Sequence, residues 1–223
     1  MSETYLYFCL IIAFELAAVY FFAKQGFHWV NILLIANLIM VSISGKRLLN
    51  FPFGISNAGN LFYAFIPIIA FLVTTQYGET AARRIVKKSI LVLGLIVILR
   101  LLFSWIPDTV EGNEVVSEAY RTIIQGNYLI TGASFLAFYF SFIIALRVFE
   151  KFENNEWVAF GLGMLVWETV DSSIFFILAF LDSWGNLGKV WEYLWVGWLV
   201  KISIGTLTLS LVGVKELPRK LKK

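Results

Sequence analysis

The chain has 223 residues, 59% of them apolar and 15% charged, with a formal net charge of +3 and a mean hydropathy of +0.79. A soluble domain is about 45–50% apolar and about 25% charged, and at this size most of its surface must stay wet. The composition therefore excludes a separate soluble enzyme domain and makes lipid the main solvent.

Seven apolar windows follow one another, at 5–23, 29–45, 58–76, 89–106, 123–148, 158–181 and 190–213. Most approach the roughly 20 residues that one bilayer crossing takes. The first carries Glu15 inside its apolar run and has no basic segment ahead of it, so it reads as a retained helix and not as a cleaved signal. Gly, Ser and Asn interrupt the region around the second and third windows, as in SISGK and GISNAGN. Such residues are tolerated in lipid where a neighbouring helix or a cavity satisfies the backbone. The long alternating runs of a membrane β-barrel are missing. The expected fold is an all-α integral membrane bundle of about seven transmembrane helices.

Lys and Arg set the orientation. Arg83, Arg84, Lys87 and Lys88 follow the third window, Arg147 and Lys151 the fifth, Lys24 the first, and Lys215, Arg219, Lys220, Lys222 and Lys223 the seventh. With seven crossings all of these share one side, which predicts a plasma-membrane protein with its N-terminus outside and its C-terminus inside. Lys46 and Arg47 are the exception, joined on the far side by Arg121 and Lys189. Trp29, Trp105, Trp157, Trp184 and Trp191 fall near window ends, the interfacial position for that side chain.

No nucleic-acid partner is expected from so small a charge. One cysteine, Cys9, excludes an intrachain disulfide, and one histidine, His28, a polyhistidine metal site. No P-loop, GxSxG or HExxH string occurs, so neither cofactor nor enzymatic chemistry is expected.

Charged residues inside the apolar windows carry the chemical signal, because each costs about 2.5–3.5 kcal/mol at a helix centre and needs a partner or a purpose. They are Glu15, Arg100, Glu168, Asp171 and Lys201. Glu168 and Asp171 stand three apart on one helix face, and Lys201 lies near the middle of the next, antiparallel window. The three are expected to meet at similar depth. They would form either a buried ion pair fixing helix register or the polar floor of an enclosed ligand cavity or proton relay. Two carboxylates facing one ammonium leave a net charge unless one holds a proton. Glu15 reads as a lone carboxyl that keeps its proton and hydrogen-bonds another helix; Arg100 reads as a side chain reaching the outer interface beside Trp105. Trp167 and Trp198 lie on the two charged windows, Trp198 three residues before Lys201, and are candidates for aromatic walls that would suit a flat heterocycle. Ser172, Asn57 and Asn60 complete the candidate site.

At these residues the chain resembles the vitamin-uptake-transporter-like (VUT) family, the queuosine precursor transporters. TVDSSIFFILAF followed by VGWLVKISIG is similar to the family's last two helices through Asp171, Phe175, Phe176, Ala179, Phe180 and Lys201, with Ser172 in place of a Thr. TTQYGETAARRIV resembles its YGxxxAR segment through Tyr77, Gly78, Ala82 and Arg83, and GASFLAFYF its ASFxAY helix through Ala133, Ser134, Phe135 and Ala137. Some polar positions depart from the pattern. Phe71 and Thr75 stand at an Asp and a Glu, and Leu129, Phe142 and Ala145 stand where some members have Arg, Gln and Asp. The resemblance implies a six-helix core at 28–216, preceded by an extra transmembrane helix at 1–27 and followed by a basic cytoplasmic tail at 217–223.

It also implies a transporter of a small, flat, partly polar solute such as a 7-deazapurine. The alternative is a ligand-sensing membrane module without transport, to which GISNAGNLFYA is closer and which would need a separate signalling partner. The other partners expected are the small-molecule ligand, the bilayer and further copies of the chain. A retinal protein needs a carboxylate counterion that the third window lacks, and Gly197 occupies the position one turn before Lys201. A membrane enzyme lacks a nucleophile–base pair, since Ser172 and Ser173 have no histidine.

Overall fold

The computed structural model describes residues 3–44, 47–51, 54–104, 128–152, 155–179 and 187–212. These form eight helical segments and one β-hairpin: α1 (Glu3–Gln25), α2 (Phe27–Ser44), β1 (Leu48–Phe51), β2 (Gly54–Asn57), α3 (Gly59–Tyr63), α4 (Ile66–Tyr77), α5 (Glu79–Ser104), α6 (Tyr128–Lys151), α7 (Glu156–Ala179) and α8 (Leu187–Val212). Because α3 and α4 together make one interrupted crossing, the helices amount to seven units, as the apolar windows require. The Arg100 side chain, Trp105, Arg121, Trp184 and the basic tail lie outside the described residues or side chains.

Five units are long and apolar enough to cross a bilayer: Tyr7–Gln25, Phe27–Ser44, Gly59–Tyr77, Ile130–Lys151 and Trp157–Ala179. The other two, α5 and α8, have 26 residues each. Charge dilutes their apolar character, through Arg83, Arg84, Lys87 and Lys88 in the first turns of α5 and through Lys201 in mid-α8. The protein is an integral membrane protein.

The α3–α4 crossing lies at the centre, with 83% of its window buried against 22% for α1. Its break falls at Ala64 and Phe65, and α4 restarts with Pro67 in its first turn, where the missing N–H costs nothing. Phe65, Ile66, Ile69 and Leu72 are fully buried, with Leu34 of α2, Ile85 of α5 and Phe138 and Leu146 of α6 around them. Helices α6 and α7 pack most closely. Gly163 makes this approach possible, because a Cβ there would stand 1.8 Å from the Phe149 ring, and small residues let membrane helices come together.

Single glycines make two of the turns, Gly26 between α1 and α2 with φ +108° and Gly78 between α4 and α5. Gly78 ends α4 with φ +83°, its N–H donating to the Thr74 carbonyl at 3.0 Å, and α5 starts at the next residue. The Tyr77–Gly78 string is thus a left-handed turn that only glycine forms without strain, and Tyr77 packs edge-on against Phe27 at 5.2 Å.

A short β-hairpin is added to the helical bundle. Strands β1 and β2 pair antiparallel from Leu48 opposite Asn57 to Phe51 opposite Gly54. They dock on α1, where Phe8 stacks on Phe51 at 5.0 Å, and on α8, where the Ser56 hydroxyl donates to the Tyr193 carbonyl at 3.2 Å. The start of α1, the hairpin and the start of α8 therefore share one end of the bundle. At the opposite end, Arg83 at the start of α5 reaches Glu150 at the end of α6 at 3.7 Å. Trp29, Trp157 and Trp191 are exposed, 47%, 46% and 65% respectively, as an interfacial belt requires.

Candidate functional site

Helix α7 presents Trp167, Glu168, Asp171 and Ser172 to the interior, all buried, because residues three and four apart share a helix face. Lys201 arrives from α8, about 21 Å along it at 1.5 Å per residue. Its ammonium donates to Asp171 Oδ2 at 2.7 Å and to Ser172 Oγ at 3.0 Å. Glu168 Oε2 is 3.3 Å away, an ion pair without hydrogen-bond geometry, and neither Glu168 oxygen has a hydrogen-bond partner. Lys201 is 1% exposed and Glu168 fully buried. The opposite charges therefore meet directly, and the hollow expected between them lies to one side.

Tyr63 of α3 completes the cluster. Its hydroxyl donates to Asp171 Oδ1 and accepts the Trp167 indole N–H at 3.3 Å. The Lys201 ammonium stands 4.6 Å from the centre of the Tyr63 ring, within cation–π range. Desolvating each ion costs several kcal/mol; two hydrogen bonds, two ion pairs and an aromatic face offset that cost for Lys201. Asp171 has both oxygens engaged, and Glu168 is the carboxylate left in excess.

Beside this cluster is a cavity. Asn57, Gly59, Asn60 and Tyr63 form one wall, Val41 of α2 and Ile130 and Ser134 of α6 a second, and Asp171, Phe175 and Lys201 the floor. The free space at its centre is about 20 Å³, within a wider recess of about 310 Å³ that includes the crevices between side chains. That centre has room for a water or two and is too small for a heterocycle, so a bound solute requires the walls to part.

The hairpin end of the cavity is built on a notch in α8. The Asn60 amide donates to Ser56 Oγ at 2.8 Å, and the Asn57 side chain accepts the Asn60 N–H at 3.1 Å. A Cβ on Gly197 would stand 2.6 Å from the Asn60 Nδ2, and one on Gly54 2.9 Å from Val196 Cγ2. The absence of a side chain at Gly197 is what admits Asn60 to the cavity rim.

Of the sequence-derived candidates, Asp171, Lys201, Asn57 and Asn60 line the cavity, and Glu168, Ser172 and Trp167 contact the cluster behind it. Trp198 does not join them. Its indole donates to Thr169 Oγ1 at 3.2 Å and its ring stacks on the exposed Trp195 at 5.3 Å. The three-residue offset from Lys201 turned it toward the outer side of the α7–α8 seam. Tyr63 and Ser134 were missed as site residues. A signal existed for Tyr63, which follows Asn60 by three and so shares its face.

Of the positions that depart from the VUT pattern, Thr75 is exposed and donates to the Phe71 and Leu72 carbonyls at 3.1 Å, while three others are packed with hydrocarbon. Phe71 meets Phe149 and Phe160 edge-on at 5.2 and 4.6 Å, Phe142 meets Trp167 edge-on at 6.0 Å, and Ala145 is fully buried. The Leu129 side chain lies outside those described.

A family model described as "Putative vitamin uptake transporter" matches residues 57–214, from the end of the hairpin through α8. No curated protein and no solved structure matches the chain.

Proposed function

We propose that this chain, which belongs to the putative vitamin uptake transporter family, carries a small, flat, partly polar heterocycle such as a 7-deazapurine across the cytoplasmic membrane. The observation that carries this reading is the Lys201–Asp171–Tyr63 cluster, buried at membrane depth on the floor of a recess lined by six elements. Transporter sites commonly lie near the midplane where interrupted helices meet, and the α3–α4 break and the hairpin supply such irregular backbone. The solute would take hydrogen bonds from Asn57, Asn60 and Ser134 and stack on Tyr63 or Phe175, with Asp171 and Lys201 beneath it. Glu168, Ser172 and Trp167 would hold the pair in place. In the orientation we propose, the α5-start and α6-end cations face the cytoplasm and the hairpin faces outward, so that the recess loads from outside.

Uptake of labelled 7-deazapurines and related vitamins into cells or vesicles tests it. Accumulation above an Asp171→Asn control is expected; none across the panel would count against transport. One feature favours the second reading, a sensor without transport: the packing of Phe71 and Phe142 where the resemblance implies polar residues. Ligand-induced thermal stabilisation without vesicle flux would select it.

A further inference from the structure

A second polar contact lies in the helices that precede the family-matched region. Glu15, in mid-α1 and 6% exposed, accepts a hydrogen bond on Oε2 from the Asn37 amide of α2 at 3.1 Å. The second Asn37 N–H donates to the Leu33 carbonyl at 3.1 Å, which fixes the amide's orientation. Asn37 is 1% exposed, and its Oδ1 has no partner. An orphan carbonyl oxygen at that depth calls for a donor. The Glu15 carboxyl, already bonded to the same amide, becomes one with its proton in place.

Helix α1 packs on α2, α3 and α8 and touches the hairpin. The charged and titratable described groups on these elements are His28, Arg47, Tyr63, Glu192, Tyr193 and Lys201, with Tyr7, Cys9, Tyr20 and Lys24 on α1 itself. None of them forms an ion pair or hydrogen bond with Glu15 among the described residues. Lys201 is committed to Asp171 and Glu168, and Lys24 to Tyr20. Among the described residues an ionised Glu15 would have one amide N–H as its compensation, whereas a carboxylic acid exchanges two hydrogen bonds with the carboxamide and leaves no orphan.

We propose that Glu15 and Asn37 form an intramembrane proton-binding site, separate from the Lys201 cluster, in which the neutral acid and the carboxamide pair face to face and fasten α1 to α2.

Dicyclohexylcarbodiimide, which enters lipid and reacts with protonated carboxyls, tests it on the intact chain in vesicles at neutral pH. The acid O–H adds across one C=N bond, oxygen to carbon and proton to nitrogen, giving an O-acylisourea. Away from water its acyl group migrates from oxygen to nitrogen, the C–O bond breaking as the C–N bond forms, and the resulting N-acylurea keeps every atom of the reagent and stays on the peptide. Mass spectrometry is expected to find it on Glu15 in the wild type and to lose it in Glu15→Gln. Infrared spectra of the same vesicles are expected to show an acid carbonyl band that vanishes in Glu15→Gln and moves to higher frequency in Asn37→Leu, where the amide donor is gone. An unlabelled Glu15 with carboxylate bands alone overturns the proposal, and so does an acid band that Asn37→Leu leaves in place. The wild-type measurements need no variant to fold.

Discussion

The Lys201 ammonium stands 2.7 Å from Asp171 Oδ2 inside the bundle, with Glu168 as a second carboxylate 3.3 Å away. The asymmetry orders the mutants. Removing the ammonium by Lys201→Met leaves two carboxylates buried together without a cation, and breaking a buried pair in this way costs about 3–5 kcal/mol. Asp171→Asn leaves Glu168 to hold the lysine and should cost less. Thermal unfolding in detergent is expected to rank Lys201→Met below Asp171→Asn, with the double variant recovering part of the Lys201→Met loss.

Tyr63 is the hinge of the hydrogen-bond chain, since its hydroxyl serves both Asp171 and Trp167. Tyr63→Phe keeps the ring under Lys201 but strands the indole N–H and one carboxylate oxygen. Each unsatisfied buried group costs about 1–3 kcal/mol. The variant should melt at lower temperature, and uptake should fall further than its stability loss explains, because Asp171 is then free to turn from the recess. Unchanged uptake in a folded variant would remove Tyr63 from the site.

The fold could be read in the sequence where one physical pattern dominated. Apolar length located all seven helical units, five of which are long and apolar enough to cross a bilayer, and the cost of buried charge picked out Glu168, Asp171 and Lys201 before any geometry. Strands of four residues such as LLNF and GISN carry too little periodicity to register, and the hairpin is held by contacts to Phe8 and the Tyr193 carbonyl that are remote in sequence. Trp198 shows the limit of face arguments. A three-residue offset puts two side chains on neighbouring lines of a helix, and which one turns inward depends on the partner, here Thr169 for the indole and Asp171 for the ammonium.

The notch at Gly197 gives a sharper test of the cavity wall than a charge change does. An alanine Cβ there would press on Asn60 Nδ2 and on Ser56 Oγ, 2.6 and 3.0 Å away, so Asn60 must leave its bond to Ser56. Overpacking of this kind costs about 1–3 kcal/mol. Gly197→Ala is expected to fold with reduced stability and to weaken the ligand-induced thermal shift. An unaltered shift would mean that Asn60 does not read the solute.

The small free volume implies that the hairpin and α8 separate when a solute enters. Cys9 is exposed and is the single cysteine in the chain, so Cys9→Ser gives a clean background. A thiol at position 196 in place of the Val196 Cγ2 would lie 2.9 Å from a Cβ at position 54, close enough to bridge. Gly54→Cys strains a backbone held at φ +132°, so the reduced double variant is the reference: with Val196→Cys it should form a disulfide that stops uptake under oxidation, with recovery on reduction. Uptake that persists with the bridge formed would place the entry route elsewhere.

Phe71 tests how far the site has moved from the pattern it resembles. The resemblance puts an acid here, yet the ring is 3% exposed and wedged edge-on between Phe149 and Phe160. Truncating a buried phenylalanine costs about 3–5 kcal/mol, so Phe71→Ala should lower the melting temperature strongly. Phe71→Asp adds a charge among rings with no cation in contact among the described residues, so it should be worse than alanine even though it restores the implied residue type. If Phe71→Asp instead folded as well as wild type, a polar partner would have to be reachable from α4, and the recess would extend past the aromatic layer that now closes it.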